Sequence, residues 1–206
     1  MSEPLATRAR ARAPLSAREG ETKLSPRPRL QPPTPALRAS LAGWLNEHAL
    51  HEPGLWRVPG SRARAAELRA AYDAGVERYE IAPTELAENV TTLVLHYLTA
   101  LPEPLFTFEL LPQFRACDEP AALRALVRRL PEENRACLRL FYEHLHLVER
   151  ASARNLMTPA NLKLSIPSLL GSVSPRLITD FDAIFADEAS SSDEATCEAG
   201  APREPP

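Results

Sequence analysis

Between Pro35 and Ala186 the apolar residues recur at steps of three and four, the period of helices with one buried face. Leu37, Leu41, Trp44 and Leu45 fall at i, i+4, i+7 and i+8 after Pro35, and the stripe dies out near Leu50, which predicts a first helix. Ser61 is placed to cap a second helix running to about Asp73, with Leu68 and Tyr72 on one face and Gly75 as its stop. Thr84 and Glu85 open a third, where Leu86, Val90, Leu93, Val94, Tyr97, Leu98 and Leu101 trace a buried stripe ended by 102-PEP-104. A short helix is expected around 108–114, and Leu123, Leu126, Val127 and Leu130 mark another. Pro131 suits the first turn of the next, with Glu132 and Glu133 at its positive end and Leu138, Phe141, Leu145 and Val148 as its stripe. Thr158 caps a last, shorter helix with Pro159 in its first turn. It runs from Asn161 to Leu170 and is interrupted at Pro167, and 174–186 has room for a turn or two more. No alternating strand pattern competes. The expected fold class is all-α, a single domain of about seven helices.

One stretch breaks the helical period. In 54-GLWRVPGSRARA-65 a cation, Arg57, stands between a tryptophan and a Val-Pro-Gly turn, directly ahead of a helix. Flanking apolar side chains anchor such a segment and Pro59-Gly60 turns it. The guanidinium is then held out at a defined point.

Composition narrows the picture further. Of 206 residues, 44% are hydrophobic and 25% charged, enough apolar material for one real core. There are 21 prolines against 7 glycines, concentrated toward the ends. Residues 1–34, rich in arginine and proline without hydrophobic period, are expected to be a disordered basic arm, and 187–206 a disordered acidic tail around a folded domain at 35–186. The arm carries enough positive charge for weak attraction to an anionic membrane surface. A net charge of -3 argues against a nucleic-acid binder driven by bulk charge. No apolar run approaches the roughly 20 residues of a transmembrane helix, and no apolar segment of a secretory signal opens the chain, so a cytoplasmic location is expected. Cys117, Cys137 and Cys197 are too scattered for a disulfide framework or a zinc motif, and read as two core thiols and one tail residue. His144 and His146 would point to different sides of a helix, so no metal site is expected. No phosphate-binding glycine loop, nucleophile elbow or H-E-x-x-H motif occurs, which leaves an independent enzyme little to stand on.

Four blocks, in order, carry a resemblance. They are 53-PGLWRVPGSRARAAELRAAYD-73, 101-LPEPLFTFEL-110, 130-LPEENRACLRLFYEHLHLV-148 and 155-NLMTPANL-162. Together they resemble the RhoGAP, or breakpoint-cluster-region homology, domain, an all-helical module that accelerates GTP hydrolysis on Rho-family GTPases, and the likeness spans about 35–172. The resemblance implies that Arg57 is a catalytic arginine finger supplied in trans to a Rho, Rac or Cdc42-like small GTPase in its GTP-bound form. It implies no cofactor of the chain's own, since GTP and Mg2+ are carried by the partner. Trp56, Leu95, Thr99 and Asn161 are expected at the partner-binding face, with Asn161 on the family asparagine near the finger.

The chain also departs from that family. The helix before L-P-E-P-L usually reads L-L-K-x-x-L-R-x-L-P, but here it is 93-LVLHYLTALP-102, with Leu95 and Thr99 at the lysine and arginine positions. Leu95 and Thr99 lie a turn apart and away from the predicted buried stripe, so Leu95 is expected as an exposed leucine on the docking face. Two functions follow: a GTPase activator, or a catalytically weak module that binds the GTPase as scaffold or effector. A second departure is 161-NLKLSIPSLL-170, one residue shorter before its proline than the family pattern and without its aromatic.

Overall fold

The computed structural model describes residues 43–73, 81–166 and 173–186, so the two expected tails, Leu37, Leu41, Gly75 and Pro167 to Leu170 lie outside the described residues. Every regular element among the described residues is helical. In chain order they are α1 (Asn46–His48), α2 (Arg62–Asp73), α3 (Ala87–Thr99), α4 (Leu111–Ala116), α5 (Pro120–Arg129), α6 (Glu132–Arg150), α7 (Ser152–Asn155), α8 (Pro159–Ser165), α9 (Arg176–Thr179) and α10 (Phe181–Phe185). None of the helices among the described residues is long and apolar enough to cross a membrane.

The long helix α6 is the axis of the core. Its Leu138, Phe141, Leu145 and Val148 are all fully buried, as their spacing predicts, and Cys137, Tyr142 and His144 join them. The buried face is therefore wider than a single stripe, because α6 is covered from several sides: α9 and α10 pack on it, and α10 also lies against α5. Phe181, Ile184 and Phe185 supply that second cover from a segment expected to add only a turn or two. A smaller cluster of Ala65, Leu68 and Leu93 joins α2 to α3, with Tyr72 packed against it.

Two helix starts differ from expectation. Helix α3 begins at Ala87 and not at Thr84, because the Glu85 side chain folds back to accept from the Leu86 N–H (3.2 Å) and leaves Leu86 exposed at the cap. Pro131 likewise stands at the cap of α6 rather than inside its first turn, with extended backbone (φ -52°, ψ 148°), while Glu132 and Glu133 follow in the first turn as expected. By contrast Ser61 and Thr158 cap α2 and α8 as read, accepting from the N–H groups of Arg64 and Asn161 at 3.3 Å. Cys137 is a core thiol, whereas Cys117 is only half-buried.

The corner between α6 and α8 is built on Asn155, which is fully buried. Its amide donates to Leu50 O and Val148 O, both at 2.8 Å, and its Oδ1 accepts from Met157 N–H at 2.8 Å. Its own carbonyl accepts from Gly54 N–H at 2.8 Å. One side chain thus satisfies three backbone groups from separate segments. Each group left unpaired in the interior costs about 1–3 kcal/mol. Asn155→Ala is expected to destabilise the domain by about 3 kcal/mol and lower Tm by roughly 10 °C in thermal unfolding. A Tm within a degree or two of wild type would refute this account of the corner.

Candidate functional site

The segment 54–61 leaves the Asn155 corner and ends at α2, and its anchors define the site. Leu55 and Trp56 are each 4% exposed, yet the next residue, Arg57, is exposed. Two left-handed residues make this reversal: Gly54 at φ 76° and Trp56 at φ 74°. Glycine adopts that conformation without penalty, but for a side chain as large as tryptophan it is a strained state costing about 1–3 kcal/mol. The Arg57 N–H closes the turn onto Gly54 O at 2.8 Å.

Trp56 is held by its ring. The indole N–H donates to Nε2 of His144 at 3.0 Å, and the ring meets Phe141 and His144 edge-on at centroid distances of 5.7 and 5.4 Å. The other imidazole nitrogen, Nδ1, lies 2.6 Å from Oδ1 of Asn46. An indole only donates, so Nε2 is the acceptor and Nδ1 carries the hydrogen given to Asn46. Burial lowers the His144 pKa to about 3, which keeps this tautomer uncharged. His146 faces elsewhere, with Nδ1 2.8 Å from Ile178 O and its ring stacked on Phe181.

The far end of the segment is fastened to α3. Gly60 N–H donates to Thr92 Oγ1 and Ser61 N–H to Asn89 Oδ1, both at 2.8 Å. The approach is so close that a Cβ at Gly60 would lie 2.3 Å from Glu88 O, so only glycine fits without displacing backbone. Asn89 is oriented in turn by Glu85, whose Oε1 accepts from its amide at 2.8 Å while Oε2 takes Arg64 Nε and Nη2 at 2.9 and 2.7 Å. Burial acts to raise the Glu85 pKa, but the hydrogen bonds from Arg64, Asn89 and Leu86, with the Arg64 charge, hold it below its ordinary value.

The arginine between these anchors is free to be given away. Among the described residues the Arg57 guanidinium has no ion pair or hydrogen bond. Val58 beside it is 51% exposed, and Leu156, next to the Asn155 that receives Gly54, is 64% exposed. An unpaired guanidinium held at the surface is able to receive an anion on a second molecule.

The other positions expected at a partner face fare differently. Trp56 is not at the surface: its ring is core and its N–H is used internally, so its expected partner contact is corrected to an anchoring role. Leu95 is not an exposed leucine either. It is half-buried and packs against the main core. A single stripe misplaced it because α3 is buried at Thr91, Thr92, Leu93 and Val94 in succession, covered by α2 and segment 54–61 as well as by the core. Thr99 is exposed, with its hydroxyl turned back onto Leu95 O at 2.7 Å. Asn161 is exposed, and its amide donates to Leu156 O at 2.8 Å, leaving Oδ1 without a hydrogen bond among the described residues. Asn46, Asn89, Thr92, His144 and Asn155 were missed. Their signal was present in part, since Asn89 and Thr92 interrupt an apolar stripe at i, i+3 and His144 sits beside a core leucine.

Fold and site define an all-helical module that presents an arginine from a strained, internally anchored turn. The RhoGAP domain model matches residues 35–172, and the chain belongs to that family. Rho GTPase-activating protein 40 of Mus musculus is 34% identical over 148 residues, covering 66% of this chain and 21% of that protein. Rho GTPase-activating protein 45 of Homo sapiens is 30% identical over 156 residues, covering 61% and 14%. The chain therefore spans only 14–21% of the length of these two relatives. Among solved structures, the BH domain of Graf, the GTPase regulator associated with focal adhesion kinase, is similar with a TM-score of 0.65 and 26% identity, over 73% of this chain and 93% of that one.

The Glu85 cluster has a pH signature. Its carboxyl titrates lower when folded than unfolded, so the stability it adds is complete above about pH 5 and is lost as pH falls through the folded value. Glu85→Gln should be less stable than wild type at pH 7, and the gap in Tm should narrow as pH falls below the ordinary carboxylate range. A gap that stays constant from pH 7 to pH 3 would show that the Glu85 charge contributes nothing.

Proposed function

We propose that the chain is a GTPase-activating module that inserts Arg57 into the nucleotide site of a GTP-loaded Rho, Rac or Cdc42-like GTPase. The observation that carries this reading is the contrast between Trp56, buried and pinned, and Arg57, exposed and unpaired among the described residues. A guanidinium is charged at every relevant pH and offers a planar fork of donors. In a site closed to water it stabilises the charge that develops on the transferred phosphoryl group. The turn is built before the partner arrives, so little ordering is required at the moment of reaction. The partner supplies GTP, Mg2+ and the glutamine that orients the attacking water, and this chain needs no cofactor of its own. Asn161 stands beside Leu156 on the same corner, where its free carbonyl oxygen suits a partner N–H.

A second reading, a binding module with weak catalysis, is favoured by Leu95 and Thr99. Thr92, Leu95 and Thr99 follow one another at i, i+3 and i+7 along the face that holds Gly60, and neither of the last two offers a cation. The finger would then act with less support from this helix than the family pattern provides.

Single-turnover GTP hydrolysis by purified Rho, Rac and Cdc42-like GTPases separates the two. Arg57→Ala is expected to reduce the acceleration by a factor of about 10³ or more, with affinity for the GTP-bound partner and Tm nearly unchanged. Detectable binding without acceleration by the wild type would establish the second reading. Thr99→Arg, at an exposed position, is expected to raise the saturating rate on the order of tenfold, the effect of one added charge-assisted hydrogen bond. No change in rate with Thr99→Arg would mean that this helix face does not approach the reacting phosphate.

A further inference from the structure

We infer that His144 is a positioning residue for Arg57, acting through the Trp56 indole. This rests on the reading of Arg57 as the finger and adds to it the device that aims the finger. The bond between Trp56 Nε1 and His144 Nε2 joins residues 88 positions apart, and that between His144 Nδ1 and Asn46 Oδ1 joins residues 98 apart. Three segments are thus fastened at one buried imidazole: α1, the turn carrying Arg57, and the central helix α6.

The arrangement has a single sense. The indole can only donate, Nε2 receives, and Nδ1 donates onward to the Asn46 carbonyl oxygen. Each buried polar atom in the relay is paired, so removing one member leaves another without a partner in a dry interior. Phe141, one turn before His144 on the same helix, closes on the indole edge and leaves it one seat.

What the relay constrains is the backbone of Trp56. At φ 74° a tryptophan relaxes to a negative φ unless its side chain is held, and that rotation would swing the following residue to a new direction. Arg57 has no side-chain tie of its own among the described residues, so its direction is inherited from Trp56 and from the 2.8 Å bond of its N–H to Gly54 O. The burial that holds His144 uncharged keeps the relay in the same state across the physiological pH range. Glu143, Glu149 and Arg139 lie on the same helix, and the protonation state of His144 does not call on them.

The test compares His144→Leu, His144→Gln and Trp56→Phe in the full chain. Glutamine can accept from the indole and donate to Asn46, whereas leucine keeps the bulk and does neither. The first readout is the backbone amide of Arg57 by 15N relaxation, together with the Trp56 indole resonance. The indole of Trp44, which donates to Ala82 O at 3.0 Å, serves as the internal reference. His144→Leu is expected to shift the Trp56 indole signal alone and to make the Arg57 amide mobile, and His144→Gln to restore both. The second readout is hydrolysis by a GTP-loaded Rho-type GTPase. His144→Leu should lower the saturating rate on the order of tenfold with affinity for the GTP-bound form unchanged, and His144→Gln should recover most of it. Should His144→Leu fail to fold, Trp56→Phe removes the same bond from the other side and is read by the Arg57 amide and the hydrolysis rate. An Arg57 amide that stays rigid after loss of the indole bond overturns the inference, whether or not the wild type accelerates hydrolysis. A wild type that accelerates nothing overturns the finger reading alone.

Discussion

Everything distinctive about this domain follows from the burial of one residue next to an exposed one. Trp56 gives its ring to the core and its N–H to His144, while the chain turns through a left-handed conformation and releases Arg57 to the surface. A strained backbone of this kind persists only where the surroundings over-determine it. Here they do so from both sides, by Asn155 and Gly54 at the start and by Thr92, Asn89 and Gly60 at the end. The helices are the frame on which those anchors stand.

The anchors share a chemical logic. Asn46, Asn89, Thr92, His144 and Asn155 are polar residues among apolar neighbours, and His144 and Asn155 are fully buried. Burying such groups is unfavourable unless each is paired. That penalty makes the arrangement selective, because a shift of the loop by one residue would leave several of them without partners at once. Apolar packing alone would tolerate more slippage. The loop is specified by hydrogen bonds, and the bundle beneath it by hydrophobic contact.

Much of the frame was legible beforehand. The stripe Leu138, Phe141, Leu145, Val148 predicted the central helix, and Ser61 and Thr158 predicted two helix starts that the structure bears out. Helix α3 starts three residues later than its pattern predicts because Glu85 bonds the Leu86 N–H and Asn89 instead of continuing the helix. Leu95 is half-buried rather than exposed because the buried face of α3 is wider than one stripe. Trp56, expected at the partner face, turns into the core because residues adjacent in sequence point in opposite directions across this turn.

By itself, the sequence determined the helical period, several helix ends and the presence of a cation in a segment that could not be helix. Those features are local, set by side chains within a few turns of one another. Only the tertiary structure decided which face of α3 is free, that Trp56 turns inward, and which polar groups hold the turn. Those facts depend on contacts such as Gly60 with Thr92, Trp56 with His144 and Asn155 with Leu50, separated by 32, 88 and 105 positions. A hydrogen bond across such a distance leaves no periodic trace in the chain, because its energy depends on where two segments meet and not on what surrounds either of them in sequence.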